Sequence, residues 1–135
     1  MAGLSNVQRT IAWLKDQGVT CATVERWIPN PKHPGGGFKL DFLNIIDLIA
    51  LSKADGIVGY QVCGTDYAPH YKKITEEHEE STREWLDSGG RLILIGWRKL
   101  KVTRGGKAMR WTPRIEEITL ETLNRGEPSE DTNDS

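Results

Sequence analysis

An acid stands inside one of the most apolar runs of this chain: Asp47 interrupts Ile45-Ile46-x-Leu48-Ile49-Ala50-Leu51. Burying even a neutral polar group without a partner costs roughly 2 to 7 kcal/mol. A fold that makes a strand of this run must therefore answer the carboxylate with a metal, a lysine or a backbone cap, and the residues alone leave all three open. The run ends in Ala54-Asp55-Gly56, a tight-turn signal, and Ile57 to Gly64 follows as the return strand of a hairpin. Alternation puts Gln61 and Cys63 on one face of that strand and Val58, Tyr60 and Val62 on the other. Asp47, Gln61 and Cys63 are thus expected to share a cleft open to water. There Asp47, Gln61 and the backbone carbonyl of Val62 would hold a hard cation such as Mg²⁺ or Mn²⁺.

With 135 residues the chain has the size of one domain with a real core. Its net charge is −1, but the last ten residues, GEPSEDTNDS, hold four acids and no base, which leaves residues 1–125 near +3. The expected organisation is a folded, mildly basic domain over 1–125 and a disordered acidic tail over 126–135. Cys21 and Cys63 have no CxxC partner, which argues against a zinc site. The N-terminal residues lack a charged and an apolar signal region, and no apolar run nears the roughly 20 residues of a membrane span. The reading is a reduced, cytoplasmic protein with no membrane partner.

Ser5 caps an expected helix over 5–17 with Val7, Ile11 and Leu14 on one stripe and Gly18 as its stop. Val19 to Ile28 reads as a strand, PNPKHPGGG as a mobile loop, and Leu40 to Leu51 as the next strand. A second helix is expected over 67–87, with Ile74, His78, Ser81 and Trp85 as its stripe and its glutamates facing solvent. Arg91 to Trp97 and Lys107 to Ile118 are the last strands, so the order is α-β-β-β-α-β-β. Within it, Trp97 to Arg114 contains seven bases and no acid. Arg98, Lys99, Lys101, Arg104, Lys107, Arg110 and Arg114 alternate there with Trp97 and Trp111. A basic hairpin with a glycine tip suits phosphate contact, and aromatic rings can stack on unpaired bases. Alternatively, the tryptophans are core and the bases protect an edge strand from aggregation.

This arrangement resembles the PD-(D/E)XK nuclease superfamily, with its αβββαβ core and its Asp followed, one strand later, by (D/E)-x-K. The resemblance covers about residues 5–97 and places Asp47 at the Asp, Gln61 at the acidic position and Cys63 at the lysine. Gln at the acidic position also occurs in Mrr-type members. The resemblance implies an α/β restriction-endonuclease-like fold, a mixed sheet flanked by helices, with the basic C-terminal β-hairpin added to it. It also implies a metal-dependent phosphodiesterase acting on DNA, of phage or mobile-element type, and a homodimer. Cys63 departs from the pattern, so the missing lysine needs a substitute. His70, Lys72 and Lys73 follow the strand closely enough to reach back over it, with Lys73 the best placed; the alternative is that the lysines only coat the surface. Glu25 is either the extra acid many members carry or an exposed edge residue. Asp41 is either a second metal ligand or the end of a turn. His33 and His78 are assigned no chemistry. Two other functions fit the same residues: a nuclease-fold protein that binds nucleic acid without cutting it, and an interaction or inhibitor module presenting its acidic tail and glutamate helix to a partner.

Overall fold

The computed structural model describes residues 3–125; the acidic tail lies outside them. A mixed five-stranded sheet in the order β1-β4-β5-β6-β7 carries the fold, and a two-stranded ribbon, β2-β3, is inserted between its first two strands. The α/β class and the helix-flanked mixed sheet are as expected.

Helix α1, Asn6–Asp16, starts with a full capping box between Ser5 and Gln8. Two orphan N–H groups are thereby satisfied. Its inner stripe, Val7, Ile11 and Leu14, packs on one face of the sheet with Val58, Tyr60, Val62, Ile95 and Trp97. The opposite face buries Ile45, Ile46, Cys63, Ile74, Leu92 and Leu94. Strand β5, Gly56–Cys63, therefore has the expected alternation, with Val58, Tyr60 and Val62 towards α1 and Cys63 towards the second helical layer.

Strands β1 (Thr20–Thr23), β4 (Leu48–Ser52) and β5 form an antiparallel meander. Strand β6, Arg91–Lys101, returns parallel to β5, and β7, Met109–Ile118, pairs antiparallel with β6 over its full length. Because Cys63 pairs with Gly96, residues 97–101 of β6 run past the end of β5. A short helix, α4 (Leu120–Arg125), not foreseen in the sequence, adds Leu123 to the core.

Three expectations are corrected. The strand expected over Val19 to Ile28 is two strands, β1 and β2 (Arg26–Pro29), in different sheets. The proline-glycine segment is the ordered tip of the β2–β3 ribbon, held by backbone bonds among Asn30, His33 and Gly36, with Gly35 and Gly36 at positive φ. The strand expected from Leu40 is broken: β3 spans Gly37–Leu40, and a tight turn closed by Phe42 and Ile46 separates it from β4. Leu43 and Asn44 adopt left-handed backbone in that turn, at a cost of order 1 to 3 kcal/mol each. Apolar composition hides such a turn, since Leu and Ile signal burial rather than backbone hand.

The second helix is also interrupted. Helix α2 (Tyr67–Lys72) passes through a π-helical turn, Lys73–Glu77, before α3 (Glu79–Asp87) resumes. The wider turn shifts the buried stripe by one residue, so Thr82 rather than Ser81 lies against the core and donates to the carbonyl of Ile74 at 2.8 Å.

Trp97 is 4% exposed, and its indole N–H donates to Thr10 Oγ1 at 2.8 Å. It is a core residue that ties α1 to β6 and not a surface stacking group. Replacing Thr10 by Val removes the acceptor at nearly constant shape and strands a buried donor. The expected loss is about 1 to 3 kcal/mol, read as a lower urea midpoint with an unchanged slope.

Candidate metal centre

Three acids converge at one end of the sheet because of how the β2–β3 ribbon is inserted. Glu25 immediately precedes β2 and Asp41 immediately follows β3, and since Arg26 pairs with Leu40 the two acids flank the base of the ribbon. The turn through Leu43 and Asn44 then delivers Asp47 to the head of β4. Carboxylate oxygens of Glu25, Asp41 and Asp47 lie within 4.8 Å of one another.

Asp47 is buried, and its partner is a backbone cap joined by an amide. Val62 N–H donates to Asp47 Oδ2 at 2.8 Å, and Gln61 Nε2 donates to the same oxygen at 3.2 Å. Val62 thus enters through its N–H rather than through the carbonyl expected as a ligand. Gln61 Nε2 also bonds the carbonyl of Ile45 at 2.9 Å and Asp41 Oδ2 at 3.3 Å, while Gln61 Oε1 accepts from Lys73 Nζ at 3.2 Å. The amide turns its donors to the acids and its acceptor to the lysine. In this orientation it holds the carboxylates in place, and the oxygens that could serve a hard cation are those of Glu25, Asp41 and Asp47.

Lys73 stands at the start of the π-helical turn and also reaches Asp41 Oδ2 at 3.2 Å. One ammonium therefore bridges Asp41 and Gln61. His70 is not part of this cluster. Its Nδ1 lies 2.9 Å from the carbonyl of Asp66, one helical turn back, in a separate group with Asp66 and Cys63.

The wet cleft expected around Gln61 and Cys63 is not where water reaches. Gln61 is 1% exposed, covered by Lys73 and Asp41, and Cys63 packs among Ile45, Ile74 and Tyr67. Burial pushes the Cys63 thiol up to about 11, which keeps it from acting as a nucleophile near neutrality. Solvent enters instead beside Glu25, Asp41 and Lys73, whose side chains are 17%, 19% and 28% exposed. Glu25 also meets Lys39 Nζ at 3.8 Å.

Burial, reinforced by the neighbouring Asp41 and Glu25 carboxylates, pushes Asp47 up to about 8 despite the Val62 cap. Asp41 moves the other way: burial alone would raise it, but hydrogen bonds with Asp47, Lys73 and Gln61 and the Lys73 charge hold it below its ordinary value. Near neutrality the centre therefore holds a proton on Asp47 that a divalent cation would displace.

Past the end of β5, the residues expected to contact nucleic acid divide. Arg98, Lys99, Lys101, Arg104, Lys107, Arg110 and Trp111 are exposed, whereas Trp97 is core. The Arg9 guanidinium lies 3.6 Å from the centre of the Trp111 ring and Lys99 Nζ 5.2 Å from it. Arg114 stacks on Tyr67 at 3.8 Å. The ribbon acids missed as a unit, Glu25 with Asp41, carried one signal in the sequence: each flanks a strand whose partner lies across the Pro-Gly segment. No helix among the described residues is long and apolar enough to cross a membrane. No protein-family model, no curated protein and no solved structure matches this chain.

Asp47 ordinarily titrates near 3.8 and is held near 8 in the native fold. Between those values the native state binds a proton that the unfolded chain has released, so stability falls as pH rises through this window. Asp41, shifted downward, acts below it. Asp47→Asn, which keeps both hydrogen bonds without the charge, should match the parent only below pH 3.8 and melt increasingly higher than it up to about pH 8. In the same melts Mn²⁺ should raise the parent's midpoint near pH 8.5 and leave the variant's unchanged.

Proposed function

We propose that the chain is a divalent-metal-dependent nuclease of PD-(D/E)XK type whose lysine has moved from the strand to the following helix. The observation that carries this reading is the Lys73 ammonium, 3.2 Å from both Gln61 Oε1 and Asp41 Oδ2. It supplies, from another element, the cation that Cys63 cannot. The meander of β1, β4 and β5 followed by a helical segment and a parallel β6 fits the αβββαβ order of that superfamily, with the β2–β3 ribbon and β7 as additions.

In this reading Glu25, Asp41 and Asp47 would hold Mg²⁺ or Mn²⁺, whose Lewis acidity would serve phosphodiester hydrolysis. Asp47 would give up its proton to act as a ligand. Lys73 would face the charge that develops on the phosphate. Gln61 keeps Asp47 and Asp41 in register without adding a fourth negative charge. The exposed bases of β6 and β7 run past the same end of the sheet as the acids, since β6 extends beyond Cys63 at the end of β5. They suit the flanking phosphates of DNA.

A second reading has its own observation: the enclosure of Gln61 and Cys63 suits a nuclease fold that binds nucleic acid without cutting it. Cleavage assays separate the two. With Mn²⁺ and single-stranded or nicked DNA, Asp47→Ala and Lys73→Ala should each lower the rate by about 100-fold or more, while Lys73→Arg retains part of it. No cleavage by the parent protein, with DNA binding that weakens steeply with salt, would transfer support to the second reading.

A further inference from the structure

A groove of about 530 Å³ runs between the start of α1 and the β2–β3 ribbon. Its walls include Asn6, Gln8, Glu25, Arg26, Trp27 and Lys39. Trp27 is 54% exposed there, an unusual state for so large an apolar ring unless something covers it.

The indole is nevertheless seated. Gly37, the last of the three glycines at the tip, is buried beneath it: a Cβ on Gly37 would come within 2.6 Å of Trp27 Cζ2 and 2.5 Å of the carbonyl of Ile28. Only glycine lets the ring lie against the strand. One face of the indole is thus fixed on backbone while the ring edges into an open groove. Lys39 is its cross-strand partner, and Glu25, just before the strand, lines the same groove.

We infer that Trp27 is a stacking platform for one unpaired base, which makes the substrate of the proposed nuclease single-stranded or locally unpaired nucleic acid. The inference rests on that reading for the chemistry and on the groove for the specificity. Bases within a duplex cover one another's faces and leave none for the indole; an unpaired base offers its whole π-face. Arg26 and Lys39, which line the same groove, answer the phosphates on either side. The Lys39–Glu25 contact at 3.8 Å gives way when a phosphate takes the ammonium and a cation takes the carboxylate.

The test measures binding in EDTA, so that it does not depend on cleavage. A fluorescein-labelled oligothymidylate of about twelve nucleotides and a blunt duplex of similar length are titrated by anisotropy. Trp27→Ala should weaken the oligothymidylate about 5- to 100-fold and the duplex less than about twofold. Trp27→Phe should restore most of the loss. Lys39→Ala should instead lower the salt dependence of both. Melting temperatures of the Trp27 variants should equal the parent's, since the ring is half exposed. Equal weakening of both probes, no weakening, or no binding of either probe by the parent protein overturns the inference. Trp27-dependent binding in a protein that never cleaves upholds the platform and rejects the nuclease; cleavage indifferent to Trp27, in rate and in strand preference, does the reverse.

Discussion

A single buried carboxyl organises this molecule. Asp47 sits where β4 begins, and its backbone is spent on the sheet, with its N–H bonded to Tyr60 and its carbonyl to Val24. Its side chain then draws in Val62 N–H and the Gln61 amide. A carboxylate in such surroundings is costly, and the fold lowers that cost by keeping the proton on it rather than by bringing a lysine to it. The consequence is a fold whose stability falls as pH rises and that proton leaves.

The other two acids arrive by a different route. Neither Glu25 nor Asp41 is held by the main sheet; both belong to the root of the β2–β3 ribbon. The ribbon therefore does two things, presenting the oxygen ligands at its base and Trp27 above them. Its glycines serve that geometry: Gly35 and Gly36 make the tip turn, and Gly37 makes room for the indole. The left-handed pair Leu43 and Asn44 closes the circuit from Asp41 to Asp47 in five intervening residues. Strain located between two ligands is the kind that a fold retains when the local geometry is used.

Lys73 depends on the irregularity of its helix. An α-helical continuation through Lys73–Glu77 would bury Ser81 in phase with Ile74, whereas the π-helical turn buries Thr82 and carries Lys73 at its first residue. Bulges of this type recur at functional sites because they re-aim a side chain without ending the helix. Here the re-aimed group bridges Asp41 and Gln61.

Much of this was legible in the residues. The cap at Ser5, the hairpin of β4 and β5 and the nearness of Asp47 to Gln61 follow from local rules: caps, period-two alternation and turn signals. Asp47 was conspicuous because charge in an apolar run is expensive in any fold. What local rules could not supply was the hand of the backbone at Leu43 and Asn44, the extra residue in the second helix, or the pairing across the Pro-Gly segment. These depend on contacts between residues far apart in the chain, and they decide that Lys73 reaches the acids while His70 does not, and that Trp97 is core while Trp27 is exposed. By itself the sequence determined that an acid would be buried in a mixed sheet and would need a partner. Only the tertiary structure decided that the partner is an amide and a backbone N–H, because a hydrogen bond requires placement to within a fraction of an ångström, and that placement comes from packing rather than from periodicity.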